Sequence, residues 1–409
     1  MFYNICGDIN MNKYIMHIDV NNAFLSWTAV EMLKNGFDTD IRTIASIIGG
    51  DEKQRHGIVL AKSNIAKQFG VKTAETIYQA KKKCPKLRIF PSNHSIYSTY
   101  SDALYKYLLT YTDAIERFSI DECFIDFSDL IKSRNDFFCI AKKISTDIKI
   151  KFGYTVNIGL SNRKVLAKMA SDFEKPDKIH TLYSDEIKNK MWDLSIDNLF
   201  MVGKKSVPKL KLLGIYRIKD LANYDKPTII KKFGKFGKLI WEYSNGIDDS
   251  IINSKKENPK GIGNSITLPK DINNLEELEH ILLVLSEKIG FRLRKQNLKG
   301  YVINVQIKTN EFITYSHQKK LSTPTNNSQE IYSISKSLLH SLYNFQFVRL
   351  IGIRVDNLTD NKSEQITLFD NRSHKLDDLD NTLDKIKNKY GYNSITFARN
   401  INSKGKHSI

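Results

Sequence analysis

The sequence predicts a multidomain α+β protein whose first folded region is built on a ferredoxin-like sheet. The chain has 409 residues, of which 41% are hydrophobic, enough for about two to four domains with cores of their own. Strand and helix periodicities alternate between residues 14 and 184 in the order of a split βαβ unit. A second α/β pattern spans residues 261–358, beyond a helical stretch at 185–246 and a polar segment at 247–260.

Composition restricts the class of partner. Lys and Arg number 63 against 45 Asp and Glu, a net charge of +18, which favours nucleic acid ahead of an anionic membrane surface. The four cysteines form no CxxC pair and none has zinc-ligand spacing to a histidine, so neither a zinc site nor a disulfide framework is indicated. With no recognisable signal peptide and no apolar run near the ~18 residues of a membrane span, we expect a cytoplasmic protein without a membrane partner.

The first predicted element is a strand followed at once by a helix. Residues 14–20 are β-prone with apolar side chains on both faces, as in a central strand, and Asp19 lies near its end. Residues 23–33 continue as an amphipathic helix that contains Phe24. An Asp in this position is often only a helix N-cap, but strand ends also carry catalytic acids.

A small basic α/β segment is predicted at residues 41–93. The runs GIVLAK and LRIFP are short strands, and two short helices lie between them, the first capped by Ser63 or Asn64. A solvated face is the ordinary explanation of its many lysines, and contact with a polyphosphate is the more specific one. These lysines are Lys62, Lys67, Lys72, Lys81, Lys82 and Lys83.

The run SIDECFIDF at residues 119–127 combines a strand pattern with two adjacent acids, Asp121 and Glu122. Burying unpaired carboxylates costs several kcal/mol, so either the pair reaches water at a strand end or a cation lies beside it. In the split βαβ order this strand neighbours the strand of Asp19. Strict alternation would send Asp121 and Glu122 to opposite faces, so a bend or strand end is expected there.

Three carboxylates on adjacent strands suit a two-metal site. Two divalent ions about 3.5–4 Å apart can clamp an in-line phosphoryl displacement, one activating the attacking hydroxyl and the other neutralising the leaving pyrophosphate. Carboxylate oxygens of Asp19, Asp121 and Glu122, with the backbone carbonyl of Val20, are donors that suit Mg²⁺.

The helical stretch at residues 185–246 resembles a helix-hairpin-helix, with two short helices joined around Gly203 and a second turn at Gly214. Turn amides and a helix N-terminus there can hold a nucleic-acid phosphate beside Lys204 and Lys205, although an ordinary αα-hairpin has the same pattern. Residues 247–260 are predicted to be an exposed linker, and residues 359–409 a C-terminal tail that includes a short helix.

Four segments together closely resemble the Y-family translesion DNA polymerases of the DinB/UmuC type. They are HIDVNNAF, SIDECFIDF, NIGLSNRKVLAKMASDFEKP and the later Gly-Ile-Gly-Asn, and the resemblance covers roughly residues 14–400 in the same order. It implies a right-handed polymerase that copies a template with low fidelity. The implied regions are a palm at 11–24 and 94–184, fingers at 25–93, a helical thumb at 185–246 and a little finger at 261–358.

The resemblance also implies roles for single residues. Asp19, Asp121 and Glu122 match the catalytic metal ligands, and Phe24 matches the steric gate that would clash with a 2′-hydroxyl. Lys164 matches a lysine that contacts the triphosphate, and Lys67 stands where the family often has an arginine on the β- and γ-phosphates. Asn64 replaces a frequent tyrosine, so Ser63 or Asn64 is expected to make that phosphate contact.

The run QITLF in the tail resembles the family's peptide for docking on the sliding clamp, with Gln365, Leu368 and Phe369 as anchors. The partners implied are thus primer–template DNA, deoxynucleoside triphosphates and the clamp, for a protein that acts as a monomer. Two alternatives remain: a non-catalytic scaffold that binds clamp and DNA, and a two-metal nuclease. A scaffold would be expected to have lost metal carboxylates, and a nuclease to carry further His or acidic residues.

Overall fold

The computed structural model describes residues 13–50, 57–254, 259–360 and 374–395. These divide into two compact units, the first ending at residue 254 and the second beginning at residue 259. Within the described ranges, no helix is both long and apolar enough to cross a lipid bilayer.

The first unit alternates strands and helices. Its strands are β1 Ile15–Val20, β2 Ser46–Gly49, β3 Val59–Lys62, β4 Arg88–Pro91, β5 Ile115–Arg117, β6 Glu122–Asp126, β7 Val156–Ser161 and β8 Ile179–Thr181. Its helices are α1 Ala23–Lys34, α2 Asn64–Gln68, α3 Ile77–Lys83, α4 His94–Leu108, α5 Arg134–Phe152, α6 Lys164–Ser171, α7 Ile187–Lys190, α8 Val207–Lys211, α9 Ile218–Ala222 and α10 Lys226–Ser244.

Strand β1 is at the centre of the main sheet, whose order is β5-β6-β1-β7-β8. It pairs antiparallel with β6 and β7, and every residue of it is buried, as a strand that is apolar on both faces predicts. Met16 and Ile18 belong to the core that β1 forms with α1, α4 and α5. The other face meets α6, where Nδ1 of His17 lies 2.8 Å from Oγ of Ser171. This is the predicted split βαβ arrangement.

Helix α6 lies directly against the sheet because β7 has a glycine at the point of contact. A Cβ added to Gly159 would lie 1.9 Å from the carbonyl oxygen of Ala167, so no other residue fits without displacing the helix. The next residue of the helix, Lys168, is buried. Glycine at this position therefore determines how closely the side chains of α6 approach β1.

A smaller sheet of order β3-β2-β4 forms the basic segment, with β2 parallel to β4 and antiparallel to β3. The predicted strands correspond to β3 and β4, whereas the short central β2 was not predicted. Ser63 caps α2: its Oγ accepts hydrogen bonds from the backbone amides of Ala66 and Ser46, both at 3.1 Å. Of the two predicted caps, Ser63 therefore performs this role, and Asn64 is the first residue of the helix.

The helical stretch has short helices on both sides of the two predicted turns. A 3₁₀ helix, Ile196–Asn198, precedes Gly203 and α8 follows it. Helices α8 and α9 are joined across Gly214, whose φ of +77° favours glycine. The α8 helix begins only where Val207 and Pro208 supply a first turn.

The expected exposed linker begins as a packed segment of the first unit. Asp248 is buried, and its carboxylate accepts a hydrogen bond from the backbone amide of Val165 at 2.8 Å, in the first turn of α6. Arg163 donates to the backbone carbonyl of Asp248 at 3.3 Å. The unpaired amides of a helix N-terminus need an acceptor, and Asp248 supplies it from a distant part of the chain.

The second unit is an antiparallel sheet of order β11-β10-β12-β9. Apolar side chains such as Ile303, Val305 and Ile353 form its core with the helices, while Asn304, Gln306 and Arg354 alternate with them along the strands. Its strands are β9 Gly261–Ile272, β10 Leu298–Thr309, β11 Thr314–Thr325 and β12 Val348–Asp360, and its helices are α11 Leu275–Lys295, α12 Ser328–Leu342 and α13 His374–Tyr390.

Two features of this unit depart from the predictions. Strand β11 was not predicted, because a mainly polar edge strand has no buried face to give it an apolar alternation. Helix α13 lies in the predicted tail but packs on the unit: Arg294 of α11 pairs with Asp380 at 2.8 Å and with Asp384 at 2.6 Å. Arg294 is therefore used inside the fold.

Candidate active site

Asp19 and Glu122 face each other across two neighbouring strands. They are paired in the register of β1 and β6, and the backbone amide of Val20 donates to the carbonyl of Asp121 at 3.1 Å. Asp121 precedes β6, and Glu122 is its first residue. The strand end expected from the alternation is thus at this position, and it allows both acids to lie near the end of β1.

Two lysines hold the carboxylates of this pair. Nζ of Lys168 lies 2.7 Å from Oε1 of Glu122 and 3.3 Å from Oδ2 of Asp19. Nζ of Lys175, from the loop between α6 and β8, lies 2.9 Å from the same oxygen of Asp19. Both ammonium groups also contact Asp172, at 3.1 and 2.9 Å. The result is a compact network of alternating charges at the edge of the sheet.

The pKa values of the two carboxyls shift in opposite directions in this environment. Burial alone would raise the pKa of Asp19, but Lys175 and Lys168 outweigh it and the pKa is lowered from its ordinary value. For Glu122, burial is the largest effect and the negative charge of Asp19 adds to it, so that the pKa rises to about 7 despite Lys168. The lysines therefore favour the ionised form of Asp19, whereas burial and the neighbouring charge of Asp19 favour the protonated form of Glu122.

Asp121 does not join this network in the structure. Its carboxylate accepts a hydrogen bond from the hydroxyl of Ser119 at 2.6 Å, inside the turn that precedes β6. Among the residues that the structure describes, no group of three or more His, Cys, Asp or Glu side chains converges closely enough to hold a metal ion. Of the three predicted acids, the structure brings Asp19 and Glu122 together, and Asp121 directly precedes Glu122 in the chain.

The donors of the pair nevertheless fit Mg²⁺. Asp19 and Glu122 supply hard oxygen ligands in a buried place that is electrostatically incomplete without a cation, here the ammonium of Lys168. Mg²⁺ is commonly held by one or two carboxylates together with water and substrate phosphates, so a third converging acid is not required.

A basic pocket of about 460 Å³ adjoins the acids. Asn64 and Lys67, one turn apart on α2, lie on its wall, and Lys175 brings the pocket next to Asp19. Burial and the nearby Lys67 lower the pKa of Lys62, whose Nζ donates to Thr73 at 2.9 Å. The cations on the wall are Arg42, Lys62, Lys67 and Lys175.

Both residues predicted for the phosphate contact line this pocket. The hydroxyl of Ser63 is buried and already accepts two backbone hydrogen bonds as the cap of α2. The side chain of Asn64 is exposed on the pocket wall.

Lys164 is not brought to this pocket. Its Nζ lies 2.7 Å from both carboxylate oxygens of Glu116, and the pair is largely buried. Lys164 and Lys168 share a face of α6 but are a turn apart, so the first reaches β5 and the second reaches β1. Lys175, from the same sequence run, lines the pocket, and nothing in the spacing of the three lysines distinguishes them.

The remaining predicted residues lie apart from the pocket. Phe24 stacks on Tyr97 of α4 at a centroid distance of 4.6 Å and remains partly exposed. Gly203, Lys204 and Lys205 are exposed ahead of α8. The anchors Gln365, Leu368 and Phe369 lie outside the described residues.

Comparison with known proteins identifies the family. The chain matches the impB/mucB/samB family model over residues 18–172 and its C-terminal domain model over residues 259–368. It is 45% identical to DNA polymerase IV of Clostridium acetobutylicum, over 94% of this chain and 97% of that protein. It is 36% identical to DNA polymerase IV of Acetivibrio thermocellus, over 98% of this chain and 100% of that protein.

The fold is similar to a solved structure as well. A chimeric Y-family DNA polymerase assembled from Dbh and Dpo4 superposes with a TM-score of 0.75 at 22% identity, covering 85% of this chain and 100% of the chimera. At that identity the match supports the fold alone, and the sequence relatives carry the family assignment. The chain belongs to the Y family of DNA polymerases, of the DinB type.

Proposed function

We propose that this protein is a template-directed DNA polymerase of the translesion class, which adds deoxynucleotides to a primer 3′-hydroxyl with low fidelity. DNA and deoxynucleoside triphosphates are the substrates that membership of the family implies. The observation that carries the proposal is the pair of buried Asp19 and half-buried Glu122 next to a pocket lined by Arg42 and three lysines. Acids that can hold metal ions, next to cations that can hold a triphosphate, are the groups that nucleotidyl transfer requires, whereas binding of DNA alone does not require the acids.

Members of the family generally depend on divalent metal ions. Asp19, Asp121, Glu122 and the backbone carbonyl of Val20 are the groups that would hold two Mg²⁺ ions. When bound, the ions would supply Lewis-acid chemistry for the primer hydroxyl and the leaving pyrophosphate. The protein's own contribution is to hold the triphosphate: Lys67 and Asn64 from α2, Lys62 from β3 and Lys175 beside Asp19 line one wall.

Sugar selection is proposed for Phe24. The ring is held by its stack on Tyr97, at 4.6 Å and 27°, so it cannot easily yield to a 2′-hydroxyl. A hydroxyl placed against a fixed aromatic edge would meet a steric clash and lose its hydration at the same time. This positioning supports a role of Phe24 in discriminating against ribonucleotides.

We propose that regions outside the main sheet bind the DNA and the sliding clamp. Lys204 and Lys205, next to Gly203, would meet backbone phosphates. QITLF would dock on the sliding clamp and raise the effective concentration of the polymerase at the primer end. We further propose that the protein works in the cytoplasm as a monomer that is recruited through this peptide.

The decisive experiment is primer extension with matched carboxamide variants. Asp19→Asn and Glu122→Gln should each reduce Mg²⁺-dependent extension by roughly a thousandfold or more, a loss typical of removing a group central to charge stabilisation. Asp126→Asn, at the other end of β6, is the control and should retain extension.

Two results would contradict the proposal. Extension at the wild-type rate by either variant would show that the substituted carboxylate is not needed for catalysis. A wild-type protein that binds primer–template DNA but never extends it would favour the scaffold alternative, and strand cleavage without nucleotides would favour the nuclease.

A further inference from the structure

A short loop carries Lys175 to the acids. It comprises residues 172–178, between the end of α6 and the start of β8. Nζ of Lys175 lies 2.9 Å from Oδ2 of Asp19, and the residue lines the basic pocket. The lysine side chain is 36% exposed, and an ion pair with that much solvent contact contributes little rigidity. The place of the ammonium group therefore depends on how the backbone of the loop is held.

Two buried asparagines lie under this loop. Asn157, in β7, is paired with Asp19 in the register of β1 and β7, and Asn21 directly follows β1. Their side chains are buried, and Nδ2 of Asn21 donates to Oδ1 of Asn157 at 3.0 Å. We call these two residues the asparagine pair. Because residues paired across neighbouring strands share a face of the sheet, Asn157 lies on the same face as Asp19.

Asn157 holds the part of the chain that precedes Lys175. Its Nδ2 donates to the backbone carbonyl of Ser171, the last residue of α6, at 3.1 Å. The same nitrogen donates to the backbone carbonyl of Glu174 at 2.8 Å. The end of α6 and the residue next to the lysine are therefore attached to the same side chain of the sheet.

The part of the loop that follows the lysine is held by both members of the pair. Oδ1 of Asn21 accepts a hydrogen bond from the backbone amide of Asp177 at 2.8 Å, and Oδ1 of Asn157 accepts one from that of Lys178 at 3.3 Å. Asp177 has φ of +59°, a conformation that few residues other than glycine adopt. The hydroxyl of Thr155 donates to Oδ1 of Asn21 at 2.9 Å and so fixes the orientation of that amide.

A carboxamide suits this position better than any other side chain. Asn157 uses both amide hydrogens and both lone pairs of its oxygen, whereas a carboxylate would face the two carbonyls without a donor. Other contacts of the loop lie nearer the surface: Lys149 pairs with Asp177 at 2.7 Å, and the ring of His180 lies 3.1 Å from the carbonyl of Glu174. Buried hydrogen bonds restrain a loop more than exposed pairs do.

We propose that Asn21 and Asn157 are positioning residues, which fix the loop so that Lys175 holds the triphosphate of the incoming nucleotide next to Asp19. They act through Lys175 and need no contact with the nucleotide. A shift of about 1 Å in a functional group can cost roughly a hundredfold in rate, so the hold on the backbone matters as much as the charge itself. That Lys175 contacts a triphosphate rests on the proposed function; the hold of the asparagine pair on the loop does not.

The test is a double-mutant cycle of Asn21→Ala and Lys175→Ala, with kcat/KM for single-nucleotide incorporation as the readout. Asn21→Ala alone should lower kcat/KM about tenfold, as is typical when a residue that orients a functional group is removed. In the Lys175→Ala background it should cause no further loss, because the group through which it acts is already absent. An equal loss in both backgrounds would overturn the proposal, since Asn21 would then act on the whole site or touch the nucleotide itself.

Two further variants separate this role from general stability. Thr155→Val removes only the hydroxyl that donates to Asn21, so it should show the same dependence on Lys175 with a smaller loss, and it replaces Asn21→Ala if that variant does not fold. Asn245→Ala is the control, because its amide also donates to two backbone carbonyls of the first unit, those of Ala222 and Trp241. It should lower the unfolding midpoint without changing kcat/KM, and a tenfold loss of kcat/KM in this control would overturn the proposal.

A binding measurement distinguishes this proposal from the polymerase function. The probe is dATP with a fluorescent N-methylanthraniloyl group, titrated with Mg²⁺ and without DNA, so that no extension takes place. Asn21→Ala should weaken binding about tenfold when Lys175 is present and not when it is replaced by alanine. Equal binding by Asn21→Ala and the wild type would overturn the role of the pair. A wild-type protein that binds the probe in this way but never extends a primer would contradict the polymerase function and not this inference.

Discussion

Lys168→Met removes the ammonium group between Asp19 and Glu122 while keeping a side chain of similar length. Lys168 is buried, and its Nζ contacts the two carboxyls at 3.3 and 2.7 Å. Breaking a buried ion pair typically costs 3–5 kcal/mol, and because Lys175 still holds Asp19 we expect about 3 kcal/mol, the lower end of that range. For a unit of this size that is a fall in Tm of roughly 6–12 °C.

Mg²⁺ should reverse the effect, because an ion bound to the two carboxylates replaces the lost charge. Ligand at a hundred times its Kd stabilises a protein by about 2.7 kcal/mol. Urea unfolding of wild type and Lys168→Met, each with EDTA and with saturating Mg²⁺, measures both quantities. Lys142→Met, an exposed lysine of α5, controls for loss of a lysine as such.

The variant and the wild type should differ by about 3 kcal/mol in EDTA and by less in Mg²⁺, because in the wild type the ion must compete with the ammonium of Lys168 and therefore stabilises it less than the variant. Equal destabilisation with and without Mg²⁺ would refute the argument, since Lys168 would then act through the packing of its stem. Stability in EDTA equal to that of the wild type would show that the two acids need no counter-charge.

Three further predictions concern sugar selection, the lysines of the sequence run at α6 and the contact between β7 and α6. Phe24→Ala should reduce discrimination against ribonucleotides roughly 10- to 100-fold, measured by single-nucleotide incorporation, and unchanged discrimination would place the steric gate elsewhere. Lys175→Ala should lower kcat/KM for nucleotide roughly tenfold or more, because a charged hydrogen bond is lost. Lys164→Ala should mainly lower stability, because it removes the ion-pair partner of Glu116. A larger loss of kcat/KM in Lys164→Ala than in Lys175→Ala would instead assign the nucleotide contact to Lys164. Gly159→Ala should cost about 1–3 kcal/mol of stability through overpacking against Ala167, and an unfolding midpoint equal to that of the wild type would contradict this contact.

The sequence was most informative where a local pattern is compatible with only one position of an element in the fold. A strand that is apolar on both faces must be central, and β1 lies there with all of its residues buried. The split βαβ order makes β6 its neighbour, so the adjacency of Asp19 and Glu122 followed without any contact being known. The strand end at Glu122 followed from the conflict between strict alternation and two adjacent acids.

Other features depended on partners that are remote in sequence. The predicted linker gives no sign that Asp248 will cap α6, because the amide of Val165 lies 83 residues earlier in the chain and meets it only once the intervening helices have packed. Strand β11 is held by backbone pairing to β10 at an edge, and the polar tail helix α13 by Arg294. None of these interactions leaves an apolar period in its own segment.

The three lysines of the run SNRKVLAKMASDFEKP separate what the sequence predicts from what only the packed structure determines. Periodicity places Lys164 and Lys168 on one face of a helix and predicts that the run is basic and close to the acids. Which ammonium meets Glu116, which bridges the carboxyls and which enters the pocket depends on the direction of α6 across the sheet and on the loop that follows it. Local patterns determine the faces of elements, whereas the distances that give each charge its role exist only once those elements have packed.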